Sequence, residues 1–209
     1  VHEVVERFAA GAQVLRGRCL PYGDGITFWP LIGMVTQAAD IRADDTPDDA
    51  CIKLIAAVGH ADVAERLASA TGFATASFPL HEIYWAARKF LETIAADGPL
   101  IAVIDDIHWA EQAFLDLLEH VRDHAVDAPI LLLATARHDL LEAQPEWGTR
   151  PGEARLVLRP LGDAEAAQVV ANLLGSSDLP ADLVGRIVGG ADGNPLFVEQ
   201  MLAMLIDSH

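Results

Sequence analysis

The chain has 209 residues, 52% of them apolar, which suffices for one large domain or a domain with a small lid. Its 31 acidic residues against 14 Lys and Arg give a formal charge of -17, which argues against a basic surface for nucleic acid. Cys19 and Cys51 lack the spacing of a disulfide framework or zinc site, and no apolar run approaches the roughly 20 residues of a membrane helix, so a cytoplasmic protein without membrane or signal segment is expected.

Val1, Val4, Val5 and Phe8 follow helical spacing, and Gly11 ends that helix. Val14 to Cys19 reads as a strand, Pro21 to Pro30 as a Gly- and aromatic-rich loop, and residues 31 to 96 as mostly helical, with an acidic turn at Asp44 to Asp49 and a loop at Gly72 to Pro79. The stripe Ile83, Ala87, Phe90, Leu91 and Ile94 ends at Gly98-Pro99, before the apolar strand Leu100 to Ile104. Phe114, Leu117, Leu118 and Val121 make another helix, carrying His120 and His124 at a solvated end. Ile130 to Thr135 is the next strand, and Arg155 to Leu158 is expected to be one more. Fully apolar strands alternating with amphipathic helices predict an α/β fold with a parallel sheet covered on both faces. From Pro160 the pattern turns helical, with helices over Ala164 to Leu174, Ala181 to Val188 and Pro195 to Ile206. Asn194 is the expected N-cap and Pro195 the first helical residue of the last one. The expected division is therefore a core over residues 1–160 and a helical lid over 161–209.

The strand ending Ile104-Asp105-Asp106 places two adjacent carboxylates at a carboxyl strand edge. One can organise a Mg²⁺ hydration shell while the other polarises a water, as in the Walker B half of a nucleoside triphosphatase site. On the strand alone, a polar end that caps the next helix is an equal reading. The following strand ends in Ala136-Arg137, a guanidinium for a γ-phosphate or a solvated loop arginine. Gly193-Asn194-Pro195 opens a helix whose N-terminus could meet an anion or simply start the helix.

Taken together, Ile101 to Glu111, Leu131 to Arg137, Leu158 to Leu161 and Gly193 to Glu199 resemble the STAND-type AAA ATPase module, the AAA-16 or Orc1-like group of bacterial LuxR-type regulators and class III nucleotide cyclases. Arg16 to Leu31 also resembles the segment after the phosphate-loop helix in the cyclase-linked branch. The resemblance implies a three-layer P-loop NTPase-like sheet followed by a small all-helical lid, with ATP or ADP and Mg²⁺ as cofactors. It implies that Asp105 holds Mg²⁺ through water, Asp106 orients the hydrolytic water, Arg137 senses the γ-phosphate, and Gly193 and Pro195 touch the nucleotide from the lid. The expected partners are the nucleotide, attached output domains of the LuxR helix-turn-helix or cyclase kind, and further copies in self-association.

No G-x-x-x-x-G-K-[ST] phosphate loop occurs between Val1 and His209. In the family it lies just before the position of Val1, together with the central strand flanked by the Leu131 and Leu156 strands. The expectation is thus a truncated switch module whose parent hydrolyses ATP and which alone is inactive. The alternative is a non-catalytic interaction scaffold with a degenerate nucleotide site.

Overall fold

The computed structural model describes residues 5–7, 10–21, 27–174 and 180–207. Residues 5–7 are helical, while Val1, Val4, Phe8 and the Tyr22 to Ile26 part of the aromatic loop lie outside the described residues. The chain forms two compact units, Val1–Trp147 and Gly148–His209, so the division falls upstream of residue 160.

The first unit is built on three parallel strands, β1 (Gln13–Arg18), β2 (Leu100–Asp105) and β3 (Ile130–Ala134), in the order β1-β2-β3. All but the last residue of β2 are buried apolar side chains, which suits a central strand covered on both faces. Its period-2 alternation divides the core. Ala102 and Ile104 face the main cluster with Leu54, Leu67, Phe90 and Phe114, whereas Ile101 and Val103 join Val5 on the other face. Among the described residues the third layer therefore amounts to the turn around Val5.

The helices of the main layer are α1 (Trp29–Ala38), α2 (Pro47–Val58), α3 (Ala61–Ala70), α4 (Leu80–Ala95) and α5 (Gln112–His124). Sequence signals set their ends. Thr46 accepts from the Asp49 backbone N–H and donates its own backbone N–H to the Asp49 carboxylate, so the acidic turn is a capping box for α2, with Pro47 at its first position. Helix α1 lies directly on β1. A Cβ at Gly17 would sit 2.4 Å from the Pro30 carbonyl oxygen, a separation only glycine permits. Gln37 of α1 completes the contact, accepting from the Arg16 backbone N–H at 3.0 Å and donating to its carbonyl at 2.7 Å. A short helix, α6 (Asp139–Ala143), follows β3.

The second unit packs α7 (Asp163–Leu174), α8 (Ala181–Ala191) and α9 (Pro195–Asp207) around Ala166, Val170, Ile187, Ala191, Val198 and Leu202. The expected strand at Arg155 to Leu158 is not formed. A strand requires a hydrogen-bonding neighbour, no described segment pairs with this one, and Leu156 and Leu158 are each 85% exposed.

Candidate functional site

At the carboxyl edge of the sheet, β2 ends on Asp105 and the chain turns through Asp106 into a 3₁₀ turn, Ile107–Trp109. The turn works because Asp106 takes a left-handed backbone, φ 61° and ψ 39°, a conformation that a short polar side chain tolerates and a β-branched one does not. The two adjacent carboxylates thereby acquire different surroundings.

Thr135, one residue beyond β3, holds this turn with both backbone and side chain. Its N–H donates to the Ile104 carbonyl at 3.0 Å and its carbonyl accepts from Ile107 N–H at 2.9 Å. Its hydroxyl accepts from Asp106 N–H at 3.1 Å and donates to Asp105 Oδ1 at 3.1 Å. The carboxylate can only accept, so the hydroxyl's one hydrogen goes to it while a hydroxyl lone pair takes the amide.

Asp106 is held from the opposite side. Arg18, the last residue of β1, places Nε at 3.0 Å and Nη2 at 2.9 Å from Asp106 Oδ2. The strand register brings them together, since Arg18 pairs with Asp105 across the ladder and Cys19 N–H donates to the Asp105 carbonyl at 2.9 Å. Burial, reinforced by the Asp106 carboxylate, pushes the neighbouring Cys19 thiol up to about 12, so it is no nucleophile at neutral pH.

Arg137 lies two residues past Thr135, exposed, and no described residue forms an ion pair with it. Its backbone N–H donates to His108 Nδ1 at 3.4 Å, which leaves His108 Nε2 buried and without a hydrogen-bond partner among the described residues. Glu111, after the 3₁₀ turn, accepts a hydrogen bond from the Thr27 hydroxyl, tying the start of α1 to the site.

Hydrogen bonds thus join Asp105, Asp106, Thr135 and Arg18 at the sheet edge, whereas Arg137 meets this edge through its backbone contact with His108. Thr135 was visible in the sequence only as a polar end to an apolar strand. Arg18 was visible only as a charge at the end of another strand, and its meaning depends on strand order. Gly193 and Pro195 belong to the second unit. There Gly193 has φ 69°, its carbonyl accepts from Leu161 N–H at 2.8 Å, and a Cβ on it would meet the Leu161 carbonyl oxygen at 2.5 Å. Asn194 Oδ1 accepts from Leu196 N–H at 3.0 Å, and exposed Pro195 opens α9. These contacts show what the glycine does for the fold of this unit.

No group of three or more His, Cys, Asp and Glu that could hold a metal occurs among the described residues. An all-protein metal cage is therefore not what these residues offer. A pair of strand-end carboxylates does fit Mg²⁺, which keeps most of its waters and takes one or two carboxylates together with phosphate oxygens.

A parallel α/β domain with an acid pair at a carboxyl strand edge is compatible with a P-loop-like nucleotide-binding domain. The chain belongs to the AAA ATPase domain family, whose sequence model matches residues 1–133. This family generally uses ATP or ADP with Mg²⁺. It is also 26% identical over 210 residues to the uncharacterized protein R02095 of Rhizobium meliloti (strain 1021), an alignment covering 92% of this chain and 20% of that protein. The chain thus spans about a fifth of the length of that relative. No solved structure matches. Among the described residues, no helix is long and apolar enough to cross a membrane.

Proposed function

We propose that this chain is the ATP-binding and hydrolysing switch module of a larger cytoplasmic signalling ATPase, a LuxR-type regulator or a nucleotide cyclase, with a capacity for self-association. The phosphate loop and its strand are assigned to chain outside residues 1–209, with the strand beside β3. The observation that supports this reading best is the divided environment of the two aspartates, with Asp105 tied to Thr135 and Asp106 to Arg18.

In this reading, Asp105 binds the metal's water shell, and Thr135 keeps that carboxylate from rotating away. Mg²⁺, when bound, neutralises phosphate oxygens. Asp106 accepts a hydrogen bond from the attacking water. The water oxygen bonds to the γ-phosphorus as the bond to the β,γ-bridging oxygen breaks, giving ADP and phosphate, and the water's protons leave with the phosphate. Arg137 reaches the γ-phosphate and registers its loss. In the same reading Gly193 and Pro195 are nucleotide contacts, and the state of the nucleotide governs the output domain.

The experiment is nucleotide binding and turnover by the full-length protein and its Asp106→Asn variant. Retained Mg²⁺-ATP binding with hydrolysis reduced at least about tenfold is expected. Unchanged turnover removes Asp106 from the mechanism. A full-length protein that binds no nucleotide makes this segment an interaction scaffold.

A further inference from the structure

Asp106 has its backbone fixed on both sides. Its N–H donates to Thr135 Oγ1 at 3.1 Å, and its carbonyl accepts from Trp109 N–H at 2.9 Å. What remains free is the rotation of its own side chain, and Arg18 is the described residue that restrains it. Two guanidinium nitrogens, at 3.0 and 2.9 Å, converge on Oδ2 alone. No described side chain bonds the other oxygen, Oδ1.

We propose that Arg18 is a positioning residue for hydrolysis. It occupies Oδ2, sets the rotation of the carboxylate, and leaves Oδ1 as the acceptor for the attacking water. A water must be held close to in line with the bond being broken, and a small displacement of its acceptor forfeits much of the rate. A carboxylate on a fixed backbone but with a free side chain samples several directions, whereas one gripped by two converging N–H groups does not. Lysine supplies the charge but not the paired directional donors, so it should substitute only in part. Arg18 is 70% exposed and Asp106 33%, so the pair adds little to folding and its loss should not unfold the protein.

This inference rests on the ATPase reading above. The test uses the full-length protein with Arg18→Gln and Arg18→Lys, measuring turnover together with calorimetric binding of Mg²⁺-ADP and of Mg²⁺-ADP with aluminium fluoride, which imitates the transferring phosphoryl group. Arg18→Gln is expected to lower kcat about tenfold with KM within about twofold, to weaken the fluoride complex by a similar factor, and to leave ADP affinity unchanged. Arg18→Lys should recover part of both losses. Wild-type turnover and fluoride binding in Arg18→Gln would overturn the role of Arg18 while leaving the ATPase reading intact. Parallel losses in KM and ADP affinity would also overturn it, because they identify a general structural contact. A wild-type protein that binds neither complex refutes the ATPase reading itself, and the role of Arg18 with it.

Discussion

The Thr135 hydroxyl donates to Asp105 Oδ1 at 3.1 Å across the edge between β3 and β2. The Thr135 hydroxyl oxygen accepts from the Asp106 amide, so one side chain connects the two carboxyl-bearing residues. Thr135→Val, nearly equal in shape, leaves that amide and carboxylate without their partner. The expected loss is about 1–3 kcal/mol in urea unfolding, with Thr135→Ser retaining most of the stability. Equal stability of the valine variant would show that water replaces the hydroxyl fully.

Gly193 makes a sharper demand. Its φ of 69° and the 2.5 Å approach of a Cβ to the Leu161 carbonyl oxygen both oppose any side chain. Gly193→Ala should destabilise the helical unit by at least about 1 kcal/mol, seen as earlier loss of helical circular dichroism on heating. Gly189→Ala, on helix α8 with nothing near its Cβ, serves as the control and should be neutral or stabilising.

His120 gives the protein a pH dependence. Burial pushes its pKa below the ordinary 6.5, and the neighbouring His124 and Arg88 act in the same direction, opposed by Asp123. Its ring stacks on His124 at 4.3 Å and lies 6.0 Å from Tyr84, and its Nε2 is buried without a partner among the described residues. Below pH 6.5 the unfolded chain therefore binds more protons than the folded one, and stability falls as pH drops from 6.5 toward the folded-state pKa. Carboxylates titrate below most of this window. Urea midpoints between about pH 7 and 5.5 should decline in the native protein and much less in His120→Gln.

Thiol chemistry distinguishes the two cysteines. Cys19 is 3% exposed and its pKa is near 12, whereas Cys51 is half-buried on α2. With a disulfide reagent at about pH 8, one thiol should react readily, and Cys51→Ser should abolish that reaction. Cys19 should react only after denaturation. Prompt labelling of Cys19 in the native protein would mean that the end of β1 opens readily.

Local signals account for what was legible beforehand. Continuous apolar runs bounded by Gly98-Pro99 and Pro129 marked β2 and β3 to within a residue, because buried parallel strands carry their own hydrophobic signature. Asn194 and Pro195 marked the start of α9 through capping chemistry contained within a few residues. Arg155 to Leu158 failed for the converse reason. Apolar β-forming residues make a strand only when another strand pairs with them, and pairing is not a property of the segment. Thr135 and Arg18 escaped because their significance lies in contacts between strands that are distant in sequence. The end of the apolar run places Asp105 and Asp106 together, but the contacts that hold them come from β1 and from the residue after β3.

Gln37 has a consequence for how copies of this segment meet. By bonding both the N–H and the carbonyl of Arg16, its amide stands where an adjoining strand would otherwise bond the middle of β1. No described segment covers the outer side of β3, where Leu131 is 52% exposed. Stacking of sheets into a fibre requires two open edges per copy, and here one is blocked. In the full-length protein, where the phosphate-loop strand is proposed to lie beside β3, that edge is filled as well, so β1 and β3 leave no place for the strand of a second copy.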